Sequence, residues 1–184
     1  MLDEVSSRVV EVVDYRPEWT EEFQNYARQL KPLLEGLVVG IEHIGSTSVV
    51  GLAAKPIVDI DVVISSRIVL KPVLKKLATA GYRHIGNNSV PGREAFAWPG
   101  KRRHHLYVCA VNAPNLHNHL IFRDYLRSHP KAAAIYGQLK KELSQQYRQD
   151  AESYCEAKTE FIQQTIETAT ALYHDQTLQR LGNV

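Results

Sequence analysis

Apolar positions along the chain change period near residue 111. Before it, short β-branched runs alternate with amphipathic stretches; after Asn115 only the helical period remains. Residues 8–15 (RVVEVVDY) predict a strand or an extended lead-in. Pro17 fits a first helical turn, with Asp14 as a candidate cap and Glu18, Glu21 and Glu22 at the positive dipole end. Phe23, Tyr26, Ala27, Leu30, Leu33 and Leu34 give that helix one apolar face up to Gly36. Residues 37–44 and 56–64 read as strands, joined by a glycine-bearing turn over 45–55 with one helical turn in it. A helix over 69–80 ends at Gly81, and strands follow at 82–85, 95–98 and 105–111. Residues 116–127 predict a helix stopped by Pro130. From Ala132 a helical period runs through Leu139, Leu143, Tyr147, Tyr154, Phe161, Ile166 and Leu172, broken once between Gln149 and Ser153. The pattern specifies an α+β fold, a small mixed β-sheet with packed helices, ending in a helical part over about 116–176.

A length of 184 residues with 44% hydrophobic and 23% charged positions fits one globular domain over 1–184. No apolar run approaches the roughly 18 residues that span a bilayer, and residues 1–7 carry two acids where a signal peptide is basic. The expectation is a soluble, cytoplasmic protein with no membrane partner. Cys109 and Cys155 are too few for a disulfide framework or a cysteine-based zinc site. Charge changes the picture more than composition does. Residues 1–62 hold 5 bases and 11 acids, 63–150 hold 15 and 4, and 151–184 hold 2 and 5. A basic middle segment suits a phosphate-bearing ligand, and equally suits solvated helix surfaces.

The chemically informative stretch is Ile44-Gly45-Ser46 followed, after twelve residues, by Asp59-Ile60-Asp61. On a strand, residues i and i+2 share a face, with α-carbons roughly 7 Å apart. Asp59 and Asp61 therefore project together while Val58, Ile60 and Val62 point into the opposite face. Packing does not explain two adjacent carboxylates, whereas a divalent cation does. Mg²⁺ takes one or two carboxylates plus substrate phosphates, and paired metals serve in-line phosphoryl or nucleotidyl displacement. Gly45 and Ser46 supply backbone N–H groups and a hydroxyl against which phosphate can lie.

The arrangement resembles the signature of the DNA polymerase β-like nucleotidyltransferase superfamily. More narrowly, the chain resembles the GrpB family through Tyr15-Arg16-Pro17-Glu18-Trp19, His43-Ile44-Gly45-Ser46-Thr47-Ser48-Val49-Val50-Gly51-Leu52, Lys55-Pro56-Ile57-Val58-Asp59-Ile60-Asp61, His104-His105-Leu106-Tyr107-Val108, Phe122-Arg123-Asp124-Tyr125-Leu126 and Lys158. The resemblance implies a nucleotidyltransferase-like fold, Mg²⁺ or Mn²⁺ at Asp59 and Asp61, and a nucleoside triphosphate held by Gly45, Ser46, Thr47, Ser48 and Lys158. It implies transfer of the nucleotidyl group to a small-molecule or protein acceptor. It also implies an alternative, an inactive nucleotide-binding or protein-folding accessory domain, as in fusions to dephospho-CoA kinase. Superfamily enzymes add a third carboxylate from a neighbouring strand. Here the strand expected at that place offers His105 and Tyr107, where the family pattern reads His-x-His. His105 is then a third candidate metal ligand, one that favours metals accepting imidazole such as Zn²⁺. Glu94 is the candidate substitute acid.

Lys55, just before the aspartate strand, is placed to reach a phosphate as a point charge. Lys158 has Tyr154 and Ile162 at i−4 and i+4, so an intrahelical ion pair does not account for it. Arg93 with Lys101, Arg102 and Arg103 forms a basic loop suited to triphosphate or to an acidic acceptor. His117 and His119 with His104 and His105 suggest a zinc site apart from the aspartates, although a helix start is a poor place for two of them to converge with a strand. His43 is a strand residue beside the glycine turn. Basic residues are not interleaved with stacking aromatics, and no RNA-recognition, helix-turn-helix or zinc-finger pattern occurs, so nucleic acid is the weaker acceptor class.

Overall fold

The computed structural model describes residues 9–100 and 104–182, with side chains as far as 174. The sequence builds five strands and six α-helices over this range. They are α1 (Glu18–Leu33), β1 (Gly40–Ile44), β2 (Val58–Ile64), α2 (Leu70–Thr79), β3 (Arg83–Gly86), β4 (Arg93–Ala97), β5 (His104–Ala110), α3 (Pro114–Ser128), α4 (Pro130–Gln146), α5 (Ala151–Glu156) and α6 (Thr159–Gly182). The strands form one mixed sheet in the order β1-β2-β5-β4-β3. β2 and β5 run parallel and every other pair runs antiparallel.

The alternation on β2 decides what each face does. Val58, Ile60, Val62 and Ile64 join Leu106 and Val108 of β5 on one face, buried beneath Trp19, Tyr26, Leu30 and Leu34 of the α1 region and Val73 and Leu77 of α2. The other face carries Asp59 and Asp61, and α3 covers its far end through Val63, Cys109, Ala113 and Leu116. The helical region packs on the chain between β1 and β2, where Val49 and Leu52 meet Leu126, Ala133 and Tyr136. Removal of these apolar surfaces from water is the main force joining sheet to helices.

Of the two readings of the N-terminal run, the extended lead-in holds over residues 9–15, with an isolated bridge between Val13 and Ala54. Two local expectations change. Asp14 does not cap α1, which has no side-chain cap; its carboxylate pairs with Lys141 of α4 at 2.5 Å. The C-terminal helical run breaks twice. The chain leaves α4 at Tyr147, and Asp150 caps α5 by accepting from the Ser153 amide at 3.0 Å. A second joint at Ala157 and Lys158 precedes α6. No helix among the described residues is long and apolar enough to cross a membrane.

Candidate functional site

Antiparallel pairing brings Ile44, the last residue of β1, opposite Asp59, so the turn that follows begins directly against that side chain. Gly45 adopts φ 68°, ψ −173°, a conformation essentially reserved for glycine. A Cβ built there would lie 3.0 Å from the carboxyl carbon of Asp59 and closer still to its Oδ2. The turn backbone and the carboxylate are thus packed against each other. Residues 46–48 form one 3-10 turn, held from inside and outside. The Ser48 hydroxyl donates to the Gly45 carbonyl at 2.6 Å, and Thr47 shares a 3.0 Å hydrogen bond with His43 Nε2. Ser46 is within hydrogen-bonding reach of the Tyr136 phenol. From α3, Arg127 donates twice to the Ser48 carbonyl, at 3.0 and 2.9 Å, and Arg123 donates to Glu42 and to the His43 carbonyl. Thr47 and Ser48 hydroxyls are therefore engaged within the fold, leaving Ser46 as the less buried side chain of the turn.

The two aspartates differ in access. Asp61 is fully buried, while the Asp59 side chain is 26% exposed. Each accepts a 2.7 Å hydrogen bond from an imidazole Nδ1, Asp59 from His105 on β5 and Asp61 from His119 on α3. Cys109 lies beside Asp61, with Sγ 3.7 Å from Oδ1; burial, aided by the Asp61 charge, pushes its thiol pKa up to about 12, so it stays a thiol. Parallel register places His105 opposite Asp59 and Tyr107 opposite Asp61, so β5 brings no acid to the pair. Glu94 does not substitute. It is in register with Val108 on the opposite face of the sheet, where it pairs with Arg67 and His84, each at 2.8 Å.

The sequence-predicted histidines separate. His105 and His119 reach the aspartates, against the expectation that a helix start would keep His119 away; the second turn of α3 carries it over β2. His117 is exposed. His104 is buried on the opposite face, bonded to Tyr82 Oη at 2.8 Å and packed on Tyr26. His43 stacks on Phe23. Burial pulls the pKa values of His43 and His104 down to about 4, keeping both rings neutral. Among the described residues no group of three or more His, Cys, Asp or Glu is gathered to hold a metal. Two carboxylates fit Mg²⁺ or Mn²⁺, which complete their shells with phosphate oxygens and water, and do not fit a zinc site closed by protein. Lys101, Arg102 and Arg103 lie outside the described residues.

A group of lysines flanks the turn. Lys55 and Lys158 both stand over the Tyr154 ring, with Nζ 5.5 and 4.3 Å from its centroid; the joint between α5 and α6 turns Lys158 that way. Lys140 of α4 is 2% exposed, donates to the Ala53 carbonyl, and lies 4.5 Å over the Tyr136 ring. Burial first and the Lys158 charge second pull its pKa down to about 7, with Asp59 opposing. Lys158 is lowered chiefly by burial as well. Sequence reading overlooked Lys140. Its signal was present, since it falls on the buried stripe of α4 with Ala133, Tyr136, Gly137 and Leu143.

Comparison with known proteins now bears on this geometry. The family model described as GrpB protein matches residues 9–168. The chain belongs to the GrpB family. The UPF0157 protein YqkA of Bacillus subtilis (strain 168) is 36% identical over 163 residues, 88% of this chain, and the chain spans 48% of that relative's length. The glutamate-rich protein GrpB of Alkalihalophilus pseudofirmus is 32% identical over 171 residues, covering 88% of this chain and 97% of its own. A dephospho-CoA kinase of Mycolicibacterium paratuberculosis is 24% identical over an alignment of 182 positions, gaps included, that covers 84% of this chain and 44% of that protein. Among solved structures, GrpB from Enterococcus faecalis superposes with a TM-score of 0.81 at 36% identity, covering 89% of this chain and 99% of that one. The Cid1 poly(U) polymerase with MgGTP bound gives a TM-score of 0.53 at 14% identity over 73% of this chain and 44% of that one. This GrpB chain has a nucleotidyltransferase-like fold.

Two outcomes follow from the packing. Gly45→Ala forces a side chain into the Asp59 carboxylate at a glycine-only backbone conformation, and is expected to lower unfolding free energy in urea by at least about 1–3 kcal/mol. Lys140 keeps its proton to about 10.5 when unfolded but only to about 7 when folded, so the unfolded chain binds more protons between those pH values. Its burial costs stability in full below about 7, and that cost disappears as pH rises toward 10. Lys140→Met is expected to be more stable than wild type at pH 7 by on the order of 1–4 kcal/mol. Thermal unfolding across pH 6–10 should show the difference shrinking with rising pH; a constant or growing difference would contradict the buried ammonium.

Proposed function

We propose that this GrpB protein binds a nucleoside triphosphate across the Gly45 turn and the Asp59–Asp61 strand and transfers its nucleotidyl group to an acceptor hydroxyl. The observation carrying this reading is that a glycine turn is packed directly on the Asp59 carboxylate, with the buried Lys140 and the half-buried Lys158 close enough to feel that carboxylate's charge. Holding the Lys140 ammonium in the interior against the Ala53 carbonyl has a cost, and a bound polyphosphate offsets it. The fold relationship to Cid1, whose solved forms include one with MgGTP, agrees with the same ligand class.

Asp59 and Asp61 would hold Mg²⁺ or Mn²⁺, which supplies charge neutralisation at the phosphates. The chain's own groups do the rest. Backbone N–H groups of Ser46 and Thr47 and the Ser46 hydroxyl take the β and γ phosphates, while Lys55, Lys140 and Lys158 balance their charge. His105 and His119 orient the two carboxylates through their Nδ1–H bonds. The acceptor oxygen bonds to the α phosphorus, the bond from that phosphorus to the bridging oxygen breaks, and pyrophosphate leaves. The hydroxyl proton goes to water, because no third carboxylate faces the pair among the described residues. That places the chemistry at the slow end, since a positioned base contributes about 10²–10⁴-fold. The same observation favours a second reading, an accessory domain that binds nucleotide without turnover.

Differential scanning fluorimetry with ATP, GTP, CTP and UTP, with and without Mg²⁺ or Mn²⁺, tests the site. Ligand at 100 times its Kd stabilises by about 2.7 kcal/mol. A metal-dependent rise in Tm should appear in the wild type and vanish in Asp59→Asn/Asp61→Asn. Release of pyrophosphate with that rise supports transfer, and the rise without release supports the accessory reading. Absence of any rise overturns both.

A further inference from the structure

We propose that the acceptor carries an anionic group, a carboxylate or phosphate, bound by Arg93 on the opposite side of the aspartates from the lysines. This rests on the nucleotidyl-transfer reading above. β4 pairs antiparallel with β5, placing Arg93 opposite Cys109 and Ala95 opposite Tyr107. Tyr107 is itself opposite Asp61, so Arg93, Tyr107 and Asp61 share one face of the sheet. The Arg93 guanidinium lies over the Tyr107 ring, Cζ 4.3 Å from its centroid. Tyr107, at the position where the family pattern has histidine, is thus a platform that fixes the guanidinium plane.

Arg67, Arg123 and Arg127 each pair with a carboxylate. Arg93 has no such partner among the described residues, and its Nε is buried without a hydrogen-bond acceptor. Exposed Arg16, Arg83 and Arg148 also have no ion pair among the described residues, and Arg93 differs from them in its buried Nε. A buried donor left unmade costs about 1–3 kcal/mol, more for a charged group. Nearby, Asn115 donates Nδ2 to Cys109 Sγ at 3.0 Å while its Oδ1 is buried without a donor. That oxygen approaches the start of β4, 3.3 Å from where a Cβ on Gly92 would stand. An unfilled cationic donor and an unfilled neutral acceptor therefore flank one stretch of β4 and β5. An oxyanion satisfies the first, in the paired geometry that guanidinium offers, and a neighbouring hydroxyl or N–H of the same molecule satisfies the second.

The test follows the Arg93 Nε–H resonance in ¹H–¹⁵N spectra of the wild type, assigned by its loss in Arg93→Lys, during titration with inorganic phosphate and separately with succinate at matched ionic strength. The resonances of Arg123 and Arg127 serve as internal references. Saturable movement of Arg93 alone with phosphate supports a phosphorylated acceptor, and with succinate a carboxylate acceptor. No saturable movement with either, or equal movement of all three arginines, overturns the proposal. Because neither probe is a nucleotide, failure of nucleotide binding leaves this result readable by itself.

Discussion

The Asp59 carboxylate occupies the space that a side chain at position 45 would need. That contact sets the turn after β1 directly against the neighbouring strand β2. Everything else in the region holds this contact in place. Arg123 and Arg127 reach from α3 to the carbonyls of His43 and Ser48, and Ser48 closes the turn on Gly45. The apolar side of β2, buried under α1 and α2, fixes which way Asp59 and Asp61 point. A one-residue slip of β2 would turn the carboxylates into the apolar core under α1 and α2 and turn Ile60 and Val62 out of it, so the hydrophobic register is also the register of the site.

Charge is distributed about this contact in an order that packing alone does not require. Two aspartates stand in the centre, each bonded to an imidazole. On one side are Lys55, Lys140 and Lys158, set over the rings of Tyr154 and Tyr136. On the other side Arg93 rests on Tyr107. Aromatic faces, not carboxylates, support the cations. Ring faces stabilise a cation without neutralising it, which leaves its charge available to a ligand. By contrast Arg67 and Arg123, whose tasks are structural, are matched by acids.

Much of this was legible in the sequence. The alternation around Asp59 and Asp61 announced both their shared face and the buried face behind it, and the parallel neighbour carrying His105 and Tyr107 appeared where expected. The places of the strands and the helical end were also readable, because their periods are set by local packing, although β1 starts three residues later than its apolar run. What escaped depended on contacts between distant segments. His119 reaches Asp61 across 58 positions and Lys140 reaches Ala53 across 87, separations at which spacing carries no information. Asp14 illustrates the converse: its position near a helix start suggested a cap, but Lys141 offered a charged partner instead. The second helix break was hidden because Ala157 and Lys158 carry no breaker residue.

A crystal structure of the protein soaked with Mn²⁺ and a non-hydrolysable nucleoside triphosphate analogue tests the central claim most directly. An anomalous manganese peak is expected at the Asp59 and Asp61 carboxylates, with the terminal phosphates against the amides of Ser46 and Thr47 and the Lys140 and Lys158 ammonium groups. Manganese and nucleotide bound away from the aspartates, or neither bound at saturating concentration, would contradict it.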